Sequence, residues 1–488
     1  MNNFESLPDN LAALEKELEP HDLIPAIQTY VLSKGHDYWA LDTDFDPADT
    51  NKYDEARKRL EAKAFRLGEE FAVSVHKLDE LGPNLFSNDW MPNRAAFGRG
   101  LAKGAYDLRV CWQQLVDQLE LQPGANRDFA VFGGFIEEVD SVDPALAQEL
   151  LDQCAQHPAL RQVLVGLHPR REFTETDLDR CMMLLDGPDI HPSMYESILW
   201  RDEYAHLPKD RVLDLAIRLL CKPNGDYVVL DALSMKLHGA EGTLDMLGAD
   251  LRLIGLRAAI LSILRVHSDP GGSMGYRMEC VINAALRFEG NETEKREWLD
   301  AIFAVVDRHY GHVHSCESAI ETTAALMPEE FLNRVFEGTE EQQDRRQFLI
   351  RDSGLRSSPL AKINVDVLIE WCRTKGDPNV WGVVASGIRL WTEDEELEEI
   401  TIQESALRLL EESPDPTVVL EAFAERVWSG SRTNVMQPRA DAIGKLVEHA
   451  RADITAGVQS VSAKLVEWIK REKEREQIDD MEHEQRFE

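Results

Sequence analysis

Basic residues are scarce in this 488-residue chain: 53 Lys plus Arg stand against 89 Asp plus Glu, for a formal charge of −36. A body of that sign repels nucleic-acid backbones and anionic membrane faces unless it segregates a basic patch, and no Lys/Arg block stands out. Bulk nucleic-acid binding is thereby disfavoured, while a basic protein partner or a local basic strip stays open. Cysteine is also sparse. Cys111, Cys154, Cys181, Cys221, Cys280, Cys316 and Cys372 are odd in number, widely spaced and free of any CxxC pair. That pattern argues against a disulfide framework or zinc ribbon and for buried thiols in a reducing cytosol. The first residues, Met1 to Ser6, lack the basic and apolar regions of a signal peptide. Long apolar runs are missing too: the richest, Ile254 to Val266, is broken by Arg257 and Arg265, short of the roughly 18 to 20 apolar residues of a membrane span. A cytoplasmic protein without a membrane segment is expected.

Alternating strand patterns are nearly absent as well. What fills the chain is apolar recurrence at three and four residue steps, as in Val212, Leu215, Ala216, Leu219 and Leu220, the stripe an amphipathic helix turns to a core. About twenty such helices are expected, separated by short Pro, Gly, Asp or Asn punctuation. Asp-Pro recurs at Asp46-Pro47, Asp143-Pro144, Asp269-Pro270, Asp377-Pro378 and Asp415-Pro416. Asp can accept from the free amides of a first turn and Pro loses no bond at the first helical position, so these pairs are helix starts. Asp377-Pro378-Asn379-Val380 leading to Trp391 parallels Asp415-Pro416-Thr417-Val418 leading to Trp428 at close to the length of a HEAT or armadillo helix pair. The fold expected is therefore an all-α, degenerate HEAT/armadillo-like α-solenoid, in which each pair buries its open face on its neighbours. Residues 1–52 read as an N-terminal cap or arm, 53–462 as the solenoid, and 463–488 as a charged C-terminal helix with an acidic tip. Negative charge concentrated at Glu393 to Glu399 and after Ile478 is expected on solvated helical faces.

Chemistry-bearing strings are few. Gly271-Gly272-Ser273-Met274-Gly275 matches a nucleophile elbow, which needs a preceding strand that this helical context does not offer. Asp42-Thr43-Asp44-Phe45-Asp46-Pro47 opens like a calcium loop, but Pro47 and Tyr53 stand where Gly and Glu are required. His309, His312, His314 and Cys316 form the densest group of transition-metal donors, without a second ligand pair at a recognisable spacing. Gly98, Gly100 and Gly104 suggest a phosphate loop, yet no G-K-[ST] follows, so close helix approach accounts for them better.

Four stretches resemble a helical-repeat region at the C-terminal side of large bacterial NTPase-type signalling and anti-phage conflict proteins. They are Phe97-Gly98-Arg99-Gly100-Leu101-Ala102, Phe132-Gly133-Gly134-Phe135-Ile136 before Asp143-Pro144, Trp428-Ser429-Gly430-Ser431-Arg432, and the closing Glu484-Gln485-Arg486-Phe487-Glu488. The likeness runs from about residue 53 to the end and rests on these short strings. It implies a scaffold that senses or holds a partner while catalysis lies elsewhere; with no phosphate-binding loop and no nuclease-like motif, this chain is expected to be either a stand-alone subunit working with a separately encoded NTPase or nuclease, or one piece of a split system. No catalytic residue or cofactor carries over. The function expected is a non-catalytic scaffold or sensor that binds protein, with Trp371, Trp381, Trp391 and Trp428 as anchors if exposed. The alternatives are nucleic-acid sensing through a basic surface at Arg345, Arg346, Arg351 and Arg356, and an enzyme or metal protein whose site is assembled from distant helices.

Overall fold

The computed structural model describes residues 20, 22–34, 50–87, 89–122, 127–168, 173–187, 190–238, 248–265, 273–308, 316–351, 358–394, 399–427 and 433–487. These residues are almost wholly helical, so the fold is all-α and solenoid-like. The chain divides into two compact units, Met1–Cys221 and Lys222–Glu488.

In the first unit the principal helices are α1 (Leu23–Tyr30), α2 (Thr50–Ala72), α3 (Arg94–Gly104), α4 (Leu108–Glu120), α5 (Ala130–Val142), α6 (Pro144–Gln156), α7 (Glu175–Leu185) and α8 (Lys209–Leu220). The expected Asp-Pro start is present: Asp143 accepts from the Leu146 amide and Pro144 opens α6. Helix α3 packs on α2 along one side and on α5 along the other. Its glycines explain how. A Cβ at Gly100 would overlap the Phe65 carbonyl of α2, and one at Gly98 would overlap the Val131 carbonyl of α5. Gly68 and Gly134 make the reciprocal contacts, against Phe97 and Ala95. Three backbones thus touch without side chains between them, around Phe71, Phe97, Phe132 and Phe135, all fully buried. The glycine string of the sequence is a packing device.

In the second unit α9 (Gly225–Leu237), α10 (Ala249–Arg265), α11 (Ser273–Leu286), α12 (Glu292–Arg308), α13 (Glu317–Leu326), α14 (Pro328–Val335), α15 (Glu340–Ile350), α16 (Val365–Lys375) and α17 (Pro378–Gly387) lead to a hairpin, β1 (Trp391–Asp394) and β2 (Glu399–Ile402). After it come α18 (Glu404–Glu412), α19 (Pro416–Glu425), α20 (Thr433–Gly444) and α21 (Ala452–Phe487). Asp377 and Asp415 cap α17 and α19 through the amides of Asn379 and Thr417, each such cap contributing about 1 kcal/mol. Alternate helices stack. One ladder runs α9, α11, α13, the helical turn Pro359–Lys362, α17, α19 and α21; another runs α10, α12, α14, α16 and α18.

Side chains tie equivalent positions of successive layers at an offset near forty residues. Trp112 bonds Gln153 at 41, Arg346 bonds Asp307 at 39, Trp371 bonds Asn333 at 38, Arg373 bonds Glu412 at 39 and Lys464 bonds Glu421 at 43. Between α6 and α8 the offset falls: Arg180 reaches Gln148 at 32 and Asp152 at 28, and Arg218 reaches Asp186 at 32. Two layer lengths in one chain account for the weak repeat signal.

Two sequence expectations are modified. The acid-rich run at Glu393 to Glu399 does not lie on helical faces: its described ends belong to the antiparallel pair β1/β2, in register Trp391 to Ile402 and Asp394 to Glu399. Position 463 falls inside α21, which is continuous from Ala452 because Ile454, Val458, Val461 and Leu465 bury one stripe of it.

Candidate partner interface

The ladder α9, α11 and α13 presents exposed Tyr227, Met235, His238 and Tyr276 beside half-buried titratable side chains. Helix α9 starts from Asn224 in the left-handed region (φ 61°) and shows Tyr227, Asp231, Met235 and His238 at helical spacing on one side. Helix α11 shows Tyr276, Glu279 and Cys280, and α13 shows Glu317 and Glu321, spaced i,i+4. The turn after α15 is fixed by Ser358, whose hydroxyl accepts from the Leu360 amide, and it presents Lys362.

The side chains join across the helices. Arg277 of α11 pairs with Asp231 of α9 at 2.6 Å, donates to the Tyr227 hydroxyl, and lies 4.8 Å from that ring's centre. His238 Nδ1 is 3.1 Å from the Tyr276 hydroxyl. The Tyr276 ring remains more than half exposed, at 53%, and its hydroxyl is pushed above the usual phenol range by its hydrogen bond with Cys280. Farther along, Glu279, Glu317 and Glu321 converge. Partial burial and the Glu321 charge raise Glu279 above the ordinary carboxylate range, countered in part by Lys362; the same two causes raise Glu317. Lys362 sits 3.6 Å from Glu321. Lys362 thus answers Glu321 and Glu279, while Glu317 is coupled to the group through Glu321, beside an exposed tyrosine. Such a surface suits a guanidinium or ammonium with an apolar stem, because charge-assisted bonds and ring contact act together. Among the described residues no group of three or more His, Cys, Asp or Glu is placed to hold a metal ion.

The residues singled out in the sequence fall elsewhere. Trp371 and Trp381 are core, 4% and 2% exposed; Trp371 donates to Asn333 and packs against Phe336. The Trp371 and Phe336 rings are tilted 45° to one another at 5.0 Å, and neither tryptophan offers a surface to a partner. Trp391 is half-buried on β1, with the Arg439 guanidinium 5.7 Å from its ring. Arg346 is spent internally, bidentate to Asp307 at 2.9 and 2.6 Å and bonded to the carbonyls of Arg334 and Glu337. Arg345 donates to Glu341 and to the Asp307 carbonyl. A phosphate-binding strip built on these two arginines loses its centre. Cys316 is fully buried at the head of α13, and Ser273 begins α11. Trp428, His309, His312, His314, Arg356 and the Asp42 to Pro47 string lie outside the described residues. Burial pushes the Cys111, Cys154 and Cys372 thiols up to about 12, which leaves them protonated and poor nucleophiles at neutral pH.

Sequence reading missed Tyr276, Glu279, Glu317 and Glu321. Glu279 and Glu321 are 42 residues apart, and only an alignment at the layer offset would bring them together. The first unit holds a second concavity, an open groove of about 880 Å³ between Gly133, Gly166, Phe173, Arg201 and Tyr204. No helix among the described residues is long and apolar enough to cross a membrane. No family model matches this chain, and neither a curated protein nor a solved structure matches it.

Proposed function

We propose that the chain is a non-catalytic helical-repeat scaffold or sensor that holds a protein partner through the α9–α11–α13 ladder, the bound element being an extended basic segment. The observation that carries this reading is a carboxylate group beside exposed Tyr276, in which Glu321 pairs with Lys362 and its charge raises both Glu279 and Glu317. A partner cation adds the missing positive charge, and the rim of tyrosines supplies contact area at low entropic cost. The net charge of −36 speeds encounter with a basic partner. The resemblance at Phe97 to Ala102 and Phe132 to Ile136 supports a place beside a separately encoded NTPase or nuclease of a bacterial defence system. Seven free cysteines support a reducing, cytoplasmic setting.

The experiment is fluorescence anisotropy with a labelled ten-residue Arg-Gly peptide at low salt, comparing the wild type, the double variant E279Q/E321Q, and a control double variant E69Q/E70Q that removes equal charge from α2. The expected result is a loss of about tenfold in affinity for E279Q/E321Q and little change for the control. No binding by the wild type, or equal losses in both variants, overturns the proposal.

A further inference from the structure

The end of the second unit carries a groove of about 770 Å³ between α20, the helical turn Lys445–Glu448 and α21. Its apolar lining is Val447, Leu465, Val466 and Ile469, and its charged lining is Lys445, Lys470 and Lys473 with Asp441 and Glu448. Val447 and Val466 are well exposed, Val466 at 68%. Exposed aliphatic side chains beside a small excess of lysine suit an occupant that is partly apolar and carries acid.

Such an element is present on the same helix. Val466, Lys470, Lys473, Gln477 and Met481 recur at steps of four, three, four and four residues, so they line one side of α21; all five are exposed, Met481 at 55%. The sequence from Glu474 to Phe487 holds the carboxylates Glu474, Glu476, Asp479, Asp480, Glu482 and Glu484 against Arg475 and Arg486. The near part of this side is basic and the far part belongs to an acidic segment, with an aliphatic or thioether residue at each end. That arrangement is self-complementary when a second copy runs antiparallel.

We infer that this face joins two copies of the chain through antiparallel α21 helices, related by a two-fold axis near residues 473 and 474. Met481 of each copy then enters the partner's groove beside Val466, Ile469 and Val447, and Lys473 faces the partner's Glu474. Both ends of the contact form at once, so the pairing closes at a dimer and leaves no open end for further addition. The seam from Val466 to Met481 spans roughly 22 Å of helix. It is a short contact, which places the dissociation constant on the order of 10 μM.

Sedimentation equilibrium from about 1 to 200 μM, a range that brackets this constant, tests the proposal. The full chain is expected to shift from monomer to dimer. V466E and M481E, at exposed positions that leave the far-ultraviolet spectrum and melting temperature unchanged, are expected to weaken dimerisation at least tenfold. K473E is expected to weaken it and the swap K473E/E474K to restore it. As a second measurement, V466C/M481C is expected to form an oxidative link between copies whose tryptic peptide joins positions 466 and 481. A monomer throughout the range, a dimer indifferent to V466E and M481E, or failure of that cross-link overturns the inference.

Discussion

Two stacks, one in each unit, are held differently. In the first unit α2, α3 and α5 meet backbone to backbone through Gly68, Gly98, Gly100 and Gly134, with Arg99–Glu137 and Lys103–Glu138 as ion pairs beside the α3–α5 seam. In the second, α9, α11 and α13 meet through paired side chains on their open side, Asp231 with Arg277, His238 with Tyr276, and the glutamates with Lys362. Removing side chains from a seam makes the layers approach and fixes their register, and here the charges beside it are matched one to one, Arg99 with Glu137 and Lys103 with Glu138. Filling it with side chains of unequal charge leaves a face that is stable and also unsatisfied. The difference teaches where to look for recognition in a stack: at the ladder whose lateral pairing is incomplete.

That contrast can be broken at several points. The largest effect is expected at Gly100→Ala, where the new methyl meets the Phe65 carbonyl; a loss of about 3 kcal/mol in chemical denaturation is expected from overpacking, whereas Gly166→Ala, with open space around it, should lie within about 0.5 kcal/mol of wild type. Of similar size, Asp307→Ala strands the half-spent Arg346 guanidinium, which is 8% exposed, at a cost of about 3 kcal/mol. A smaller and opposite effect is expected on the polar ladder. Glu317→Gln removes an i,i+4 repulsion with Glu321 and should raise stability by about 0.5 kcal/mol at neutral pH. The sign follows from the raised carboxyl of Glu317 in the folded state: its contribution to stability is fully present below the unfolded value of 4.5 and is lost as pH rises through the folded one. The gain from the substitution should therefore vanish in melts near pH 4.

Much of the architecture was legible because it rests on local rules. Asp143, Asp377 and Asp415 start helices where Asp-Pro said they would, and the apolar stripe of Leu215, Ala216 and Leu219 is buried in α8. The glycines of α3 were rightly assigned to close helix approach, since no G-K-[ST] order follows them and packing is left as their use. The hairpin β1/β2 was hidden because six acids in its run carry no strand signature, and Ile400 and Ile402 alone are too short a pattern. The ladder was hidden for a different reason. Its members lie one layer apart, the layer length changes from about forty to about thirty residues within the chain, and Tyr276 and Glu279 are unremarkable in their own helix. Tryptophan was a poor guide here because a large indole is equally suited to fill the repeat core, as Trp298 and Trp381 do.

On the proposed function, an incoming cation completes the carboxylate cluster of α11 and α13. Burial and the Glu321 charge raise the carboxyls of Glu279 and Glu317, so a guanidinium bound among them draws them back down and releases protons as it binds. Calorimetric titration of the Arg-Gly peptide at about pH 5, a unit above ordinary carboxylates, in buffers of different ionisation enthalpy counts those protons directly. Net proton release that disappears in E279Q/E317Q is the predicted result; binding with no proton release, or with the same release in the double variant, would contradict the account.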